Sequence, residues 1–179
     1  GQLELKENYK DGKLDGLWET YYLNGQLQFR TNYKNGNRDG LHEVFYENGQ
    51  LQETGNIKNG KEDGLWENYY DNGQLKEKGM YKAGVRNGPY EEYYDDGQLK
   101  EKGTQKDDKR DGLFERFYAN GQLDQRGSFK DGELEGPFEQ YSKDGKLEEK
   151  GSFKAGEQCG EWLEEGETVT YDPCPPDLE

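Results

Sequence analysis

The stretch Gly73 to Asp96, GQLKEKGMYKAGVRNGPYEEYYDD, is one copy of a unit that runs through the chain. Gly-Gln-Leu begins at Gly1, Gly25, Gly49, Gly73, Gly97 and Gly121, and Gly-Lys-Leu follows at Gly145, a spacing of 24 residues with no insertion. A second glycine recurs at Gly16, Gly40, Gly64, Gly88, Gly112, Gly136 and Gly160. A third recurs at Gly12, Gly36, Gly60, Gly84, Gly132 and Gly156, with Asp108 the exception. Self-similarity at a fixed period marks a repeat architecture in which each unit buries its apolar face only against its neighbours.

Each unit contains two short runs of strand-forming residues. In the first they are Leu17 to Tyr22 and Gln26 to Tyr33. Between them stands Asn24-Gly25, the strongest two-residue hairpin signal, because a type I′ turn needs positive φ at both central residues. Asn48-Gly49, Asn72-Gly73, Asp96-Gly97, Asn120-Gly121 and Asp144-Gly145 fill the same slot. No slot has the period of a helix. The expected fold is all-β: an elongated, solenoid-like single sheet of consecutive antiparallel hairpins. Its seven units are 1–24, 25–48, 49–72, 73–96, 97–120, 121–144 and a degenerate 145–168. A Pro-rich capping tail, 169–179, follows. Alternate strands lie ~9–10 Å apart, so seven units predict a ribbon of roughly 65 Å.

A two-residue loop at Asn24-Gly25 sets Tyr22 opposite Leu27, Thr20 opposite Phe29 and Trp18 opposite Thr31. In later units the Thr31 slot holds Gly55, Gly79, Gly103, Gly127 and Gly151, and the Trp18 slot holds Trp66, Tyr90, Phe114, Phe138 and Trp162. A ring is thus expected over a cross-strand glycine on a buried face. Tyr9, Tyr33, Ile57, Tyr81, Phe129 and Phe153 belong to that face too. The opposite face pairs Glu19 with Arg30, Glu67 with Lys78, Glu91 with Lys102, Glu115 with Arg126 and Glu139 with Lys150; only Glu43–Thr54 departs. A slip of one residue would separate every pair. Beside them runs a row of rings: Tyr21, Phe45, Tyr69, Tyr93, Phe117 and Tyr141. Rings rimmed by charge are typical of recognition surfaces, and these six are the candidate protein-binding residues. The bland alternative is sheet cover by residues of high strand propensity.

Composition narrows the function. Leu, Ile, Val and Phe make up only 28 of 179 residues, a level at which disorder is the default. The 14 tyrosines and the repeat argue for order. A net charge of −15 excludes a nucleic-acid partner and disfavours anionic lipid. No apolar run is long enough for a membrane-spanning helix. The chain begins at Gly1 in register with the repeat, so an upstream targeting segment is expected to be missing. Cys159 and Cys174 could close a loop of 14 intervening residues, worth ~2–3 kcal/mol. The pair would place the chain in an oxidising compartment, the periplasm or cell surface. Two free thiols in the cytoplasm are the alternative.

Reactive chemistry is sparse. His42 is the sole histidine, and the serines Ser128, Ser142 and Ser152 are remote, so a substituted stacking position is the better reading. The acids before the second glycine, Asp15, Asp39, Asp63, Asp111 and Glu135, suggest calcium only if ligands converge. At ~10 Å spacing they do not, and Asp precedes Gly in turns for backbone reasons. No carboxylate pair is singled out and a ribbon is expected to leave no pocket, so no enzyme, cofactor or metal is expected. Gln105 and Asp107-Asp108 make unit five the softest rung. Pairing should stop at Pro173, which cannot donate to a ladder, and a Cys159–Cys174 clip would fold the tail over the open edge.

Trp66, Tyr69, Tyr70, Asn72, Gly73, Leu75, Tyr81, Lys82 and Gly84 form a run that resembles the variant MORN repeat of bacteria, and in bacterial chains such arrays resemble the YwqK-type, antitoxin-like family. The resemblance covers residues 1 to about 165. It implies a twisted antiparallel sheet of successive hairpins and a scaffold for protein interaction. The reading is a non-catalytic bacterial scaffold that binds another protein through the ring row. The alternatives are an antitoxin or immunity-like neutraliser of a basic toxin, and a purely structural spacer. A monomer is expected.

Overall fold

Nineteen short strands, and no helix, occur among residues 5–176, which the computed structural model describes. The first Gly-Gln-Leu and the last three tail residues lie outside this range. Seventeen strands belong to one antiparallel sheet, and Tyr9–Lys10 pairs separately with Lys13–Leu14. The chain divides into two units, Gly1–Asn87 with Asp95–Gly97, and Gly88–Tyr94 with Gln98–Glu179.

In the first unit, Gly16–Tyr21, Leu27–Lys34, Asn37–Phe45, Leu51–Lys58, Lys61–Tyr69 and Leu75–Lys82 pair in chain order. In the second, pairing runs in chain order from Gly88 through Leu99–Lys106, Gly112–Phe117, Leu123–Lys130, Gly136–Tyr141, Leu147–Lys154 and Glu157–Glu164 to Glu167–Thr170.

The Asn24-Gly25 turn is not the type I′ turn expected. Asn24 is not left-handed; only Gly25 has positive φ, 86°. Gly25 N donates to Tyr22 O and Tyr22 N donates to Gln26 O, each at 2.8 Å. The loop is therefore three residues, Leu23-Asn24-Gly25, a type I turn closed by a left-handed glycine. Asn24 is committed elsewhere. Its Oδ1 accepts from Gln26 N (2.9 Å) and its Nδ2 donates to Glu47 O of the next repeat (3.0 Å). The type I′ turn sits at the other end, at Asn35-Gly36, where φ is 51° and 86°.

The extra loop residue would slip the register by one, but a bulge at Gln28 restores it. Tyr21 faces Leu27, not Tyr22 as expected, whereas Thr20 faces Phe29 and Trp18 faces Thr31 as expected. A second irregularity sets Asp39-Gly40-Leu41 against Asn32. Gly40 takes φ 119° there, and a Cβ on it would lie 3.2 Å from the Asn32 Cβ.

One face carries the core. His42, Trp66, Tyr90, Phe114, Phe138 and Trp162 are all buried, Trp162 to 1% exposure. In the second unit Phe114, Phe138 and Trp162 cluster with Phe129, Leu134, Phe153 and Tyr171. In the first, ring centroids step from Trp18 to Phe29 (5.3 Å), His42 (4.9 Å), Trp66 (5.4 Å) and Tyr81 (6.1 Å). His42 thus holds a stacking position, with Nε2 3.1 Å from a Glu53 carboxylate oxygen. Rings do cover glycines, but not always in their own hairpin. Trp66 lies over Gly55 and Trp162 over Gly151, each on the last strand of the preceding hairpin, while Tyr90 and Phe114 cover Gly103 and Gly127 across their own hairpins.

Within each unit, side chains of the Tyr-x-Asn-Gly loop lock a repeat to its successor. Tyr22 Oη donates to Phe45 O (2.7 Å), Tyr46 to Tyr69 O (2.7 Å), Tyr94 to Phe117 O (2.8 Å) and Tyr118 to Tyr141 O (2.8 Å). Asn48, Asn72 and Asn120 repeat the Asn24 contact. In the last loop Ser142 and Asp144 stand in these slots and bond each other at 2.5 Å.

Pairing outlasts the expected end of unit seven. Glu167–Thr170 crosses the 168/169 boundary as a strand after a Glu165-Gly166 turn, and Gly160 N reaches Asp172 O at 2.8 Å. It stops at Pro173. Cys159 and Cys174 are bonded, with Cα atoms 4.8 Å apart, and Tyr171 sets its ring edge-on to Trp162.

Candidate functional site

Strand alternation sends Leu17, Glu19 and Tyr21, and their counterparts in every repeat, to the face opposite the core. On that face the Glu–Lys/Arg register is the expected one: Glu19 faces Arg30, Glu67 faces Lys78, Glu91 faces Lys102, Glu115 faces Arg126 and Glu139 faces Lys150. Several side-chain contacts run the other way, into the following hairpin. Arg30 binds Glu43, Lys102 binds Glu115 (2.7 Å) and Arg126 binds Glu139 (2.5 Å), while Lys150 reaches back to Glu139 (3.1 Å). Arg30, Lys102 and Arg126 each stand between two glutamates, one on either neighbouring strand, whereas Lys150 has Glu139 on one side and Leu163 on the other. The Thr54 exception costs Glu43 nothing, because Arg30 supplies the charge.

The six rings are half-buried and wired into this ladder. The hydroxyl of Tyr21 donates to Glu19 (3.1 Å), Tyr69 to Glu67 (3.1 Å), Tyr93 to Glu91 and Tyr141 to Glu139 (2.5 Å). Phe45 and Phe117, which have no hydroxyl, instead lie beneath Arg30 (5.8 Å) and Lys102 (5.9 Å). The Tyr141 hydrogen bond, with Lys150 and Arg126, holds the Glu139 carboxyl below the usual carboxylate range against the opposing effect of burial. Lys6 and Tyr21 do the same for Glu19. Burial, and then Glu67, push the Tyr69 hydroxyl up.

The exposed apolar groups on this face are not the rings but the slot beside the glutamates. Leu41, Leu65 and Leu113 are 45%, 48% and 76% exposed. In the second unit, Pro89, Leu113 and Pro137 line a groove of about 660 Å³, with Thr104, Ser128 and the ladder residues around them. None of the six rings lines it, and its presence departs from the expectation that the sheet leaves no pocket. The repeated Leu17, Leu41, Leu65 and Leu113, two residues before each glutamate, was the available signal.

The core side holds charge that the repeat pattern did not reveal. Glu101, 2% exposed, accepts from Tyr90 Oη (2.6 Å) and pairs with Arg110 (2.5 Å) and Arg116 (3.0 Å). This cluster sits in unit five, where Gln105 replaces the ring. Asp107 and Asp108 there both take positive φ.

The line of pre-glycine acids serves the backbone. A carboxylate oxygen of Asp15 accepts from Asn35 N (3.1 Å), Asp39 from Asn59 N (3.3 Å), Asp111 from Asp131 N (3.3 Å) and Glu135 from Ala155 N (2.9 Å). Each therefore caps the type I′ turn of the next repeat. No grouping of three or more metal-type ligands occurs among the described residues.

Six consecutive segments, residues 14–35, 38–59, 62–83, 86–107, 110–131 and 134–155, match the MORN repeat variant. No curated protein matches the chain.

Proposed function

The chain belongs to the MORN repeat variant family, and from that premise we propose that it is a non-catalytic scaffold whose ladder face binds another protein. Repeats of this family build scaffolds that often bind proteins or membranes. The observation that carries the protein reading is the row of exposed leucines beside half-buried rings and paired charges, on the face that the core does not use. Apolar groups rimmed by polar ones are the usual anatomy of a recognition patch. The net charge of −15 weighs against an anionic membrane and favours a basic partner. Neutralisation of a basic toxin is the sharper form of that reading. The bonded Cys159–Cys174 pair supports a periplasmic or cell-surface location, with the cytoplasm the alternative.

The test is capture of a partner from the source cell's extract, with the parent protein and a Tyr69→Ala/Leu113→Ser variant as baits. A partner held only by the parent supports the scaffold reading. Equal capture by both baits removes this face from it, and no capture at low or high salt leaves a structural spacer.

A further inference from the structure

The spacing of the groove in the second unit selects a ligand geometry. Pro89, Leu113 and Pro137 fill one slot in successive repeats, each two strands from the next. Strands ~4.7–4.9 Å apart put these residues roughly 9–10 Å from one another along the groove. A β-strand laid along that line returns to the same side every two residues, ~6.7 Å, and falls out of step at once. An α-helix returns after about seven residues, ~10.5 Å, and overshoots by about 1 Å per repeat. A polyproline II helix advances ~3.1 Å per residue with three residues per turn, so the same side recurs every ~9.3 Å. It is the conformation that sets one equivalent side chain over each repeat.

Charge specifies the remaining positions. Glu91, Glu115 and Glu139 line the groove against only Lys102 and Arg126, so acids are in excess there as in the chain as a whole. The rings of Tyr93, Phe117 and Tyr141 stand on the same face, two residues along from those glutamates. They stand outside the groove itself, so the spacing of Pro89, Leu113 and Pro137 and the excess of acids carry the choice of ligand. We propose, building on the binding-face reading above, that this groove takes a proline-rich segment of a partner protein in the polyproline II conformation. Every third residue of that segment is apolar and seats at Pro89, Leu113 and Pro137, and Lys or Arg occupies positions between them. The sheet turns by roughly 20–25° per strand, which limits a straight ligand to about three repeats, or about nine residues.

The experiment is fluorescence anisotropy of the intact protein with a labelled (Leu-Pro-Arg)3 peptide. The comparison peptide has the same nine residues permuted so that leucine recurs every second position. The expected result is at least about ten-fold weaker binding of the permuted peptide. Leu113→Ser should weaken (Leu-Pro-Arg)3 by about the same factor, whereas Leu23→Ser, in a hairpin loop of the other unit, should not. Both leucines are exposed, and unchanged melting curves establish that the variants fold. Equal binding of the two peptides would reduce the groove to unspecific attraction of positive charge and overturn the proposal. So would indifference to Leu113→Ser, or no binding of either peptide. If no peptide binds but the partner captured above is lost on Leu113→Ser, the ligand class falls and the binding face stands. If that partner is indifferent too, both fall.

Discussion

Leu113 and Phe114 are neighbours in the strand Gly112–Phe117, yet one is 76% exposed and the other 4%. That alternation divides the chemistry of every repeat. Side chains in the Phe114 slot hold the fold, and those in the Leu113 slot are free to meet a partner. Trp66→Ala should lower stability by about 3–5 kcal/mol in urea melts, because the ring fills its site. Leu113→Ser should change it by less than about 0.5 kcal/mol. Gly55→Ala tests the same packing from beneath, since a Cβ there would lie 1.9 Å from Trp66 Cε3. A loss of about 3 kcal/mol is expected, and a neutral result would mean the ring is not seated on that backbone. At this scale the core was legible, because the Trp18 slot and the glycine slot alternate in register. The direction in which a ring leans was not. Trp66 covers the preceding hairpin's glycine, and a register names both cross-strand neighbours without choosing between them. The Glu101–Arg110–Arg116 cluster escaped for another reason: its members come from slots whose residue type changes from repeat to repeat.

At the scale of the hairpin, the sequence Tyr-x-Asn-Gly encodes a bracket to the next repeat rather than a tight turn. Tyr46→Phe deletes the donor to Tyr69 O and should cost about 1 kcal/mol. Asn120→Asp sets a carboxylate against Lys143 O in place of an amide donor and should cost about 1–2 kcal/mol. Asp144→Asn should gain nothing comparable, because Asp144 bonds within its own loop. Amide exchange in the adjoining loops reads each effect separately from global unfolding. The strands and their pairing partners were legible from alternation and glycine spacing. The turn types were not, because Asn-Gly suits both a type I′ turn and a type I turn with a left-handed glycine. In the first loop Asn24 also reaches Glu47, 23 positions away, but the last loop takes the same turn with Ser142 and Asp144 bonded to each other, so no single contact visible in the sequence selects it. The third loop residue and the Gln28 bulge offset each other, so the register of Trp18 and Thr31 survives a wrong turn type.

Over the whole chain, charge governs the response to pH. Glu19, Glu135 and Glu139 all have carboxyls held below their ordinary range, chiefly by hydrogen bonds from Lys6, Lys154 and Tyr141 respectively. A lowered folded value contributes stability that is present above the unfolded value and is lost as pH falls through the folded one. Melts should therefore show stability falling below about pH 4.3. From neutral pH down to about 5 the partial relief of the −15 net charge acts in the opposite sense, so an optimum near pH 5 is expected. A monotonic rise down to pH 3 would mean that the ladder contributes nothing. Reduction of Cys159–Cys174 should cost about 3 kcal/mol, or less if only the tail detaches, and comparing melts with and without reductant separates the two. The repeat architecture was readable from spacing alone. The binding face was half readable: alternation identified its charges and rings, but exposure is a property of the folded sheet, and it picks out the leucines.

The central claim is that the face bearing Leu113 recognises a partner and the face bearing Phe114 does not. The most direct measurement is the affinity of the captured partner for Leu113→Ser, taken at a temperature where parent and variant are equally folded. A loss of about ten-fold or more is predicted. Unchanged affinity would contradict the account and return the ladder face to a structural role.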